Sequence, residues 1–264
     1  MRARLMVVVA HPDDETFGCG SLLLHAAAAG ATTAVVCATR GEAGEPAPGS
    51  GVTAAELPAV RERELRAAAE LLGVARVDLL GLADSGMAGP AGPGTLAGAD
   101  PAVVAGRVLA HIEDFRPDVV VTLDAGDGHR DHVAIRDATL AAVERSEWRV
   151  PRVYLQCLPR SLMRRWLLHL AGERPDSPYL EADVPGTPDE LVTTVVDTGR
   201  HLARRERAIA AHASQVSPYE GMPDDLRRAF LTSDHLRRVV PAWDGGAPEP
   251  DIFSAAVSSQ AVQD

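Results

Sequence analysis

The chain contains no lysine, and all 26 of its positively charged side chains are arginines. That absence removes mechanisms built on a Schiff-base amine or a phosphate-loop lysine. Cysteine is scarce as well: Cys19, Cys37 and Cys157 are far apart, odd in number and form no CxxC pair. They exclude a disulfide framework and suit buried thiols in a reducing compartment. Basic clustering is missing too. Acidic residues outnumber basic ones 37 to 26, for a net charge of -11 and a pI near 5.3, so no nucleic-acid-binding surface is expected. Leu5–Ala10 is too short for the core of a signal peptide and runs straight into charges. No other apolar run is long enough to span a bilayer. The expectation is a cytoplasmic protein without nucleic acid or membrane as partner, and without internal repeats.

What is present is 264 residues, 46% of them hydrophobic, enough for one large domain over 1–240 rather than two small ones. Strand-like and helix-like segments alternate. Strands are expected at Arg4–Ala10, Thr33–Thr39, Val77–Leu82, Val119–Leu123, Val153–Leu158 and Leu191–Val196. Helices are expected at Thr16–Ala29, Glu56–Leu72, Pro101–Phe115 and Val133–Val143. That order predicts an α/β fold with a Rossmann-like, mostly parallel sheet and helices on both faces. Ligands in such sheets bind at the carboxyl ends of the strands, where strand order reverses. Two Gly/Pro-rich stretches, Gly41–Val52 and Gly86–Pro101, follow strand ends and are expected to rim the crevice. Residues 241–264 have few apolar residues at regular spacing and read as an irregular C-terminal tail.

Two polar clusters follow two of the strands. The first is HPDDE, His11–Glu15, where packed carboxylates repel one another and need a reason to be there. One reason is a helix cap, with acids favoured by the first-turn dipole. The other is a cation. The second cluster, in LDAGDGHRDHVAIRDA (Leu123–Ala138), brings His129, Asp131 and His132 within four residues. Strand ends of a parallel sheet open on one crevice, so the two clusters converge, and convergence favours the cation. Zinc accepts imidazole nitrogen and carboxylate oxygen, and a catalytic site keeps three protein ligands and one open position. His11, Asp14 and His132 form the expected ligand set, with another divalent ion such as Fe2+ also compatible. Asp13 is then free to act as general base toward a metal-bound water. His129 is placed to stabilise an oxyanion or protonate a leaving amine, and Asp131 to orient one of the histidines. Glu15 reads as a first-turn acid or an orienting group.

These residues resemble the LmbE/PIG-L superfamily of zinc-dependent N-acetylglucosaminyl deacetylases. The likeness rests on HPDDE and GHRDH (Gly128–His132), and continues through TRGEAGE (Thr39–Glu45), VRERELRAAAELLGV (Val60–Val74), LADSGM (Leu82–Met87) and AIAAHASQ (Ala208–Gln215). It spans about Leu5 to Gln215. It implies hydrolysis of an N-acetyl or other N-acyl group from a small-molecule amino sugar or glycoconjugate, on a deacetylase domain covering 1–240. It implies the same metal, base and oxyanion roles that the residue types suggest. From the resemblance alone come Arg61 and Asp84 as contacts to the substrate sugar; otherwise they read as a helix-surface arginine and a turn-forming aspartate. A homo-oligomer is compatible with it.

One departure stands out. Mycothiol-pathway members carry tyrosine two residues before the first histidine of the second motif, where this chain has Asp127. An ionised carboxylate cannot donate to an oxyanion, which weakens the case for the mycothiol precursor. GlcNAc-inositol, a mycothiol-type S-conjugate, a bacillithiol precursor or a glycosylated natural product each fit the motifs. A non-catalytic sugar-binding homologue is the rival class, disfavoured by the base beside the metal set. A nucleotide-binding protein is disfavoured because GCGS (Gly18–Ser21) lacks the dinucleotide-binding spacing. The arginines of RHLARRERA (Arg200–Ala208) read as a solvated helix face, and His212 and Gln215 as groups near the closing edge of the site. The small-residue loops predict an open, shallow cleft.

Overall fold

In the computed structural model, which describes residues 2–177, 180 and 183–253, the apolar runs become the centre of a seven-stranded sheet. Leu5 to Val9 of β1 (Arg4–Val9) are each no more than 1% exposed. A strand buried on both faces must be apolar throughout, which is why this run does not alternate. Parallel neighbours flank β1: β2 (Thr32–Cys37) on one side and β4 (Val119–Leu123) on the other. Beyond them lie β3 (Arg76–Leu79) and β5 (Arg152–Cys157), also parallel. The sheet then continues through β7 (Ser233–Val240) to β6 (Thr194–Asp197), with β7 antiparallel to both neighbours. The strand order β3-β2-β1-β4-β5-β7-β6 places the reversal between β1 and β4, the two strands that end in the polar clusters.

Eight helices are described: α1 (Asp14–Phe17), α2 (Gly20–Ala28), α3 (Leu57–Leu72), α4 (Pro101–Phe115), α5 (Arg130–Arg145), α6 (Arg160–Glu173), α7 (Leu202–Ala211) and α8 (Asp224–Leu231). The expected helix over 16–29 is in fact two, broken where Cys19 takes φ -118 and ψ 2. A Cβ at Gly18 would lie 3.0 Å from the Asp14 carbonyl and 3.2 Å from Gln156 Oε1, a tight fit that glycine relieves where the chain passes β5. The third strand is shorter than expected, and α5 starts at Arg130 because His129 caps it. The last expected strand moves on to Thr194–Asp197, after a 3-10 turn at Asp189–Leu191.

Arg205 corrects the reading of a solvated arginine face. Arg204 and Arg207 are exposed, but Arg205 is 1% exposed and donates to Ser21 Oγ at 3.1 Å, with Asp234 3.5 Å away. A buried guanidinium needs such partners. After β7 no helix or strand is described, yet the segment is anchored: Glu249 accepts from Arg238 at 2.6 Å and from the Tyr154 hydroxyl at 3.1 Å. Ile252 is fully buried. The rest of the tail, 254–264, lies outside the described residues. No described helix is long and apolar enough to cross a membrane. All three cysteines are free and buried.

Candidate functional site

The turn after β1 is set by Asp13, whose φ of 118 and ψ of -32 cost about 1–3 kcal/mol for a residue with a side chain. Its neighbours hold it there. The Asp13 N–H donates to Glu15 Oε2 at 2.9 Å, and its carbonyl accepts from the Thr16 and Phe17 amides at 2.9 and 2.7 Å. The Asp13 carboxylate caps no helix; it accepts from Arg61 Nη2 at 3.0 Å. Burial pushes its carboxyl up to about 7 against the opposing charge of Arg61, with Asp14 adding to the rise.

Asp14 is the centre of the cluster. Its Oδ2 accepts the His11 backbone N–H at 2.8 Å and lies 3.6 Å from His11 Nδ1. Its Oδ1 lies 3.4 Å from His132 Nε2. The other nitrogen of each ring faces a further carboxylate. His11 Nε2 is 3.2 Å from Asp131 Oδ2 and 3.5 Å from Asp84 Oδ1, and His132 Nδ1 is 2.6 Å from Asp127 Oδ2. Burial opposes charge on both rings, but these carboxylates outweigh it. They hold His11 well above its ordinary value and His132 at about 10.

Such carboxylate–imidazole pairing is how ligating histidines are oriented. The ligand atoms of His11, Asp14 and His132 lie within 4.8 Å of one another, as do those of His11, His129 and Asp131. The first set fits an ion better. Its 3.4 and 3.6 Å separations about Asp14 are close to what bonds of about 2.0–2.2 Å to a tetrahedral ion require. Asp131 is fully buried, and its Oδ2 accepts the Ser85 N–H at 2.9 Å as well as facing His11, which suits an orienting role.

His129 is the N-cap of α5, and its Nδ1 accepts the Asp131 N–H at 3.2 Å. That bond assigns the ring proton to Nε2. Burial, then the charges of His11 and His132, lower its pKa, so the ring is neutral. It stacks on His132 with centroids 4.7 Å apart and meets the edge of His11 at 4.8 Å. A neutral N–H beside the ligand set is a donor suited to a carbonyl oxygen that gains charge.

Residues 6–143 match the family model described as PIG-L: GlcNAc-PI de-N-acetylase. A 1D-myo-inositol 2-acetamido-2-deoxy-alpha-D-glucopyranoside deacetylase from Geodermatophilus obscurus is 36% identical over 286 residues, covering 95% of this chain and 97% of the relative. The chain belongs to the PIG-L family. It is thus a hydrolase of the deacetylase kind, acting on an amide C–N bond. The solved A40926 pseudoaglycone deacetylase Dbv21 superposes with a TM-score of 0.61 at 22% identity, over 90% of this chain and 97% of that one. The 4-carboxy-2-hydroxymuconate hydratase GalB of Pseudomonas putida superposes equally well, at 0.61 and 19% identity over 92% and 99%. Because a hydratase shares the fold, the fold alone does not name the reaction; the sequence relatives do.

The two residues that the PIG-L resemblance assigned to the sugar are differently placed. Asp84 stands at the site, its side chain 6% exposed beside His11, and accepts the Gly86 N–H at 2.8 Å. Arg61 is occupied by protein partners: beyond Asp13, it donates to the carbonyls of Pro12 at 2.6 Å and Gly41 at 3.1 Å. It lies so close across Gly41 that a Cβ there would come within 2.0 Å of its Nη1, and φ is +67. Only glycine satisfies both constraints. Arg61 therefore bears on Asp13 from behind.

Three further features escaped the sequence reading. Asp127 grips His132. Arg130 donates to the carbonyls of Ser85, Gly86, Ala88 and Gly89, clamping the second Gly/Pro-rich loop onto the start of α5; its position inside the second motif was the available signal. Finally, the cleft of about 290 Å³ that Asp14 and His132 open into is walled by Phe17 of α1, Met163 and Trp166 of α6, Met222, and Phe230 of α8. Neither Gly/Pro-rich loop lines it.

Proposed function

We propose that the protein is a metal-dependent hydrolase that removes an N-acetyl or other N-acyl group from a substrate containing N-acylglucosamine. The observation that carries this reading is Asp14 set between His11 and His132, each ring backed by its own carboxylate, with Asp13 adjoining. A zinc or similar divalent ion held by His11, Asp14 and His132 would polarise the amide carbonyl and make a water nucleophilic near neutral pH. Asp13, with a carboxyl raised to about 7, accepts the proton of that water on its carboxylate and returns it to the departing amine nitrogen. Arg61 and Glu15 hold Asp13 in register through its Oδ2 and its backbone N–H. His129 donates from Nε2 to the carbonyl oxygen as charge develops there. Asp131 and Asp127 orient His11 and His132. Asp84, held ionised by His11 despite its burial, is the acceptor for a sugar hydroxyl.

The 36% identity to a deacetylase of an inositol-linked acetamido sugar supports an amino-sugar substrate. Asp127 binds His132 and donates nothing to an oxyanion, so that task falls to His129. The test is a panel of N-acyl glucosamine conjugates, read by mass spectrometry for released acyl acid with the protein metal-loaded or chelated. Release that requires the ion is the expected result. No release from any conjugate by protein shown to carry an ion would overturn the reading.

A further inference from the structure

The two sides of the ligand set differ in chemistry. On one side stand Asp13 and Asp84, with Arg61 behind Asp13 and Glu42 Oε2 accepting the Asp84 N–H at 3.0 Å. On the other, Asp14 and His132 open into the cleft of about 290 Å³. The polar groups on that side are bonded to protein neighbours: Asp124 accepts from the Thr187 hydroxyl, Asp127 faces His132, and the Tyr219 hydroxyl donates to the Phe17 carbonyl at 2.6 Å. The far wall is apolar. It is one face of a small second core in which Met163, Leu226, Phe230 and Leu231 pack with Trp166 and Met222. That cluster is separate from the main core around β1 and β4.

An N-acyl amide has two ends, a sugar and a hydrocarbon. Sugar hydroxyls need the hydrogen-bonding side, and the acyl chain leaves the carbonyl carbon in the opposite direction. We infer that the apolar cleft receives the hydrocarbon chain of the acyl group, and that this enzyme prefers N-acyl chains longer than acetyl. This rests on the deacylase reading proposed above and names its substrate class. The volume agrees. A methyl group needs far less than 290 Å³, which lies just below the range of about 300–1,000 Å³ for sites that enclose larger small molecules.

The metal-loaded protein is assayed on one glucosamine conjugate acylated with acetyl, butanoyl, hexanoyl or octanoyl. Burying one methylene corresponds to about a fourfold gain, so kcat/KM should climb by about that factor per methylene until the cleft is full. Met222→Trp, which fills the cleft, should cut the octanoyl-to-acetyl ratio of kcat/KM at least tenfold. Binding gives a second readout: octanoate but not acetate should quench Trp166 fluorescence saturably, and Trp166→Phe should lose that component. A flat or falling series with acetyl still hydrolysed overturns the inference and leaves the deacylase reading standing. So does a gain seen only when the alkyl chain is moved to the anomeric oxygen. If no amide is cleaved, the deacylase reading fails, and the octanoate titration alone decides whether the cleft binds hydrocarbon; no saturable quench rejects it.

Discussion

His212 Nε2 lies 2.9 Å from Oε1 of Glu15, a residue 197 positions earlier in the chain. Glu15 Oε2 in turn accepts the Asp13 N–H at 2.9 Å, so the turn that aims Asp13 is tied to the end of α7. Burial opposes charge on His212, but Glu15 outweighs it and raises the ring's pKa. His212→Ala leaves the Glu15 carboxylate buried without that partner, at about 1–3 kcal/mol. Turnover should fall about tenfold or more with the metal content unchanged. A lower Tm with unchanged kcat would make the contact a purely structural one.

Asp13→Asn tests the proposed base. Asparagine tolerates positive φ about as well as aspartate does, so the turn should form, but the amide cannot take a proton. Turnover should drop by about two to four orders of magnitude while metal analysis still finds the ion. Rates near those of the parent protein would assign the proton to another group.

The metal-free site should compete with its ion for protons. Held at about 10, His132 is protonated at neutral pH, as is His11. For these raised histidines, the stabilisation of the metal-free fold is complete below the unfolded value of about 6.5 and is lost as pH climbs toward 10. Ligation requires neutral rings. The Tm difference between metal-loaded and chelated protein should therefore widen from about pH 6 to about pH 9. Calorimetric titration in buffers of different ionisation enthalpy should show proton release on metal binding. A constant gap and no release would contradict the pairing described.

Arg130→Met removes the clamp on the loop that carries Asp84. KM for a sugar conjugate should rise about tenfold, with kcat less affected, and limited proteolysis within 85–99 should accelerate. Arg130→Lys should rescue poorly, because one ammonium cannot reproduce the spread of a guanidinium over several carbonyls. An unchanged KM would show that the loop holds its place without Arg130.

The sheet centre and the gathering of His11, Asp14 and His132 were legible because β1 and β4 are buried on both faces and end in clusters that no packing argument explains. The outer half was harder. β7 carries Arg237 and Arg238 among its apolar residues, and the pairing of Arg238 with Glu249 depends on a segment without regular pattern. Arg61 and Arg205 read as surface residues because their partners, Asp13 and Asp234, lie 48 and 29 positions away. The apolar cleft was invisible for a related reason. Its wall is assembled from α1, α6, α8 and the stretch before α8, and no one of these announces a ligand. The helix over 16–29 is interrupted at Cys19, next to the close approach of Gly18 to Gln156 on β5.

The strands that bring His11 and Asp131 together are adjacent in the sheet, although the two residues are 120 positions apart. During synthesis at about 5–20 residues per second, the second motif emerges about 6–24 s after the first. The cluster exists only once β1 and β4 have paired, so the proposed ion site is completed by the sheet itself. An ion cannot nucleate this protein as it does a small zinc module. Loading should follow folding, and a chelator should strip the site while leaving the sheet standing.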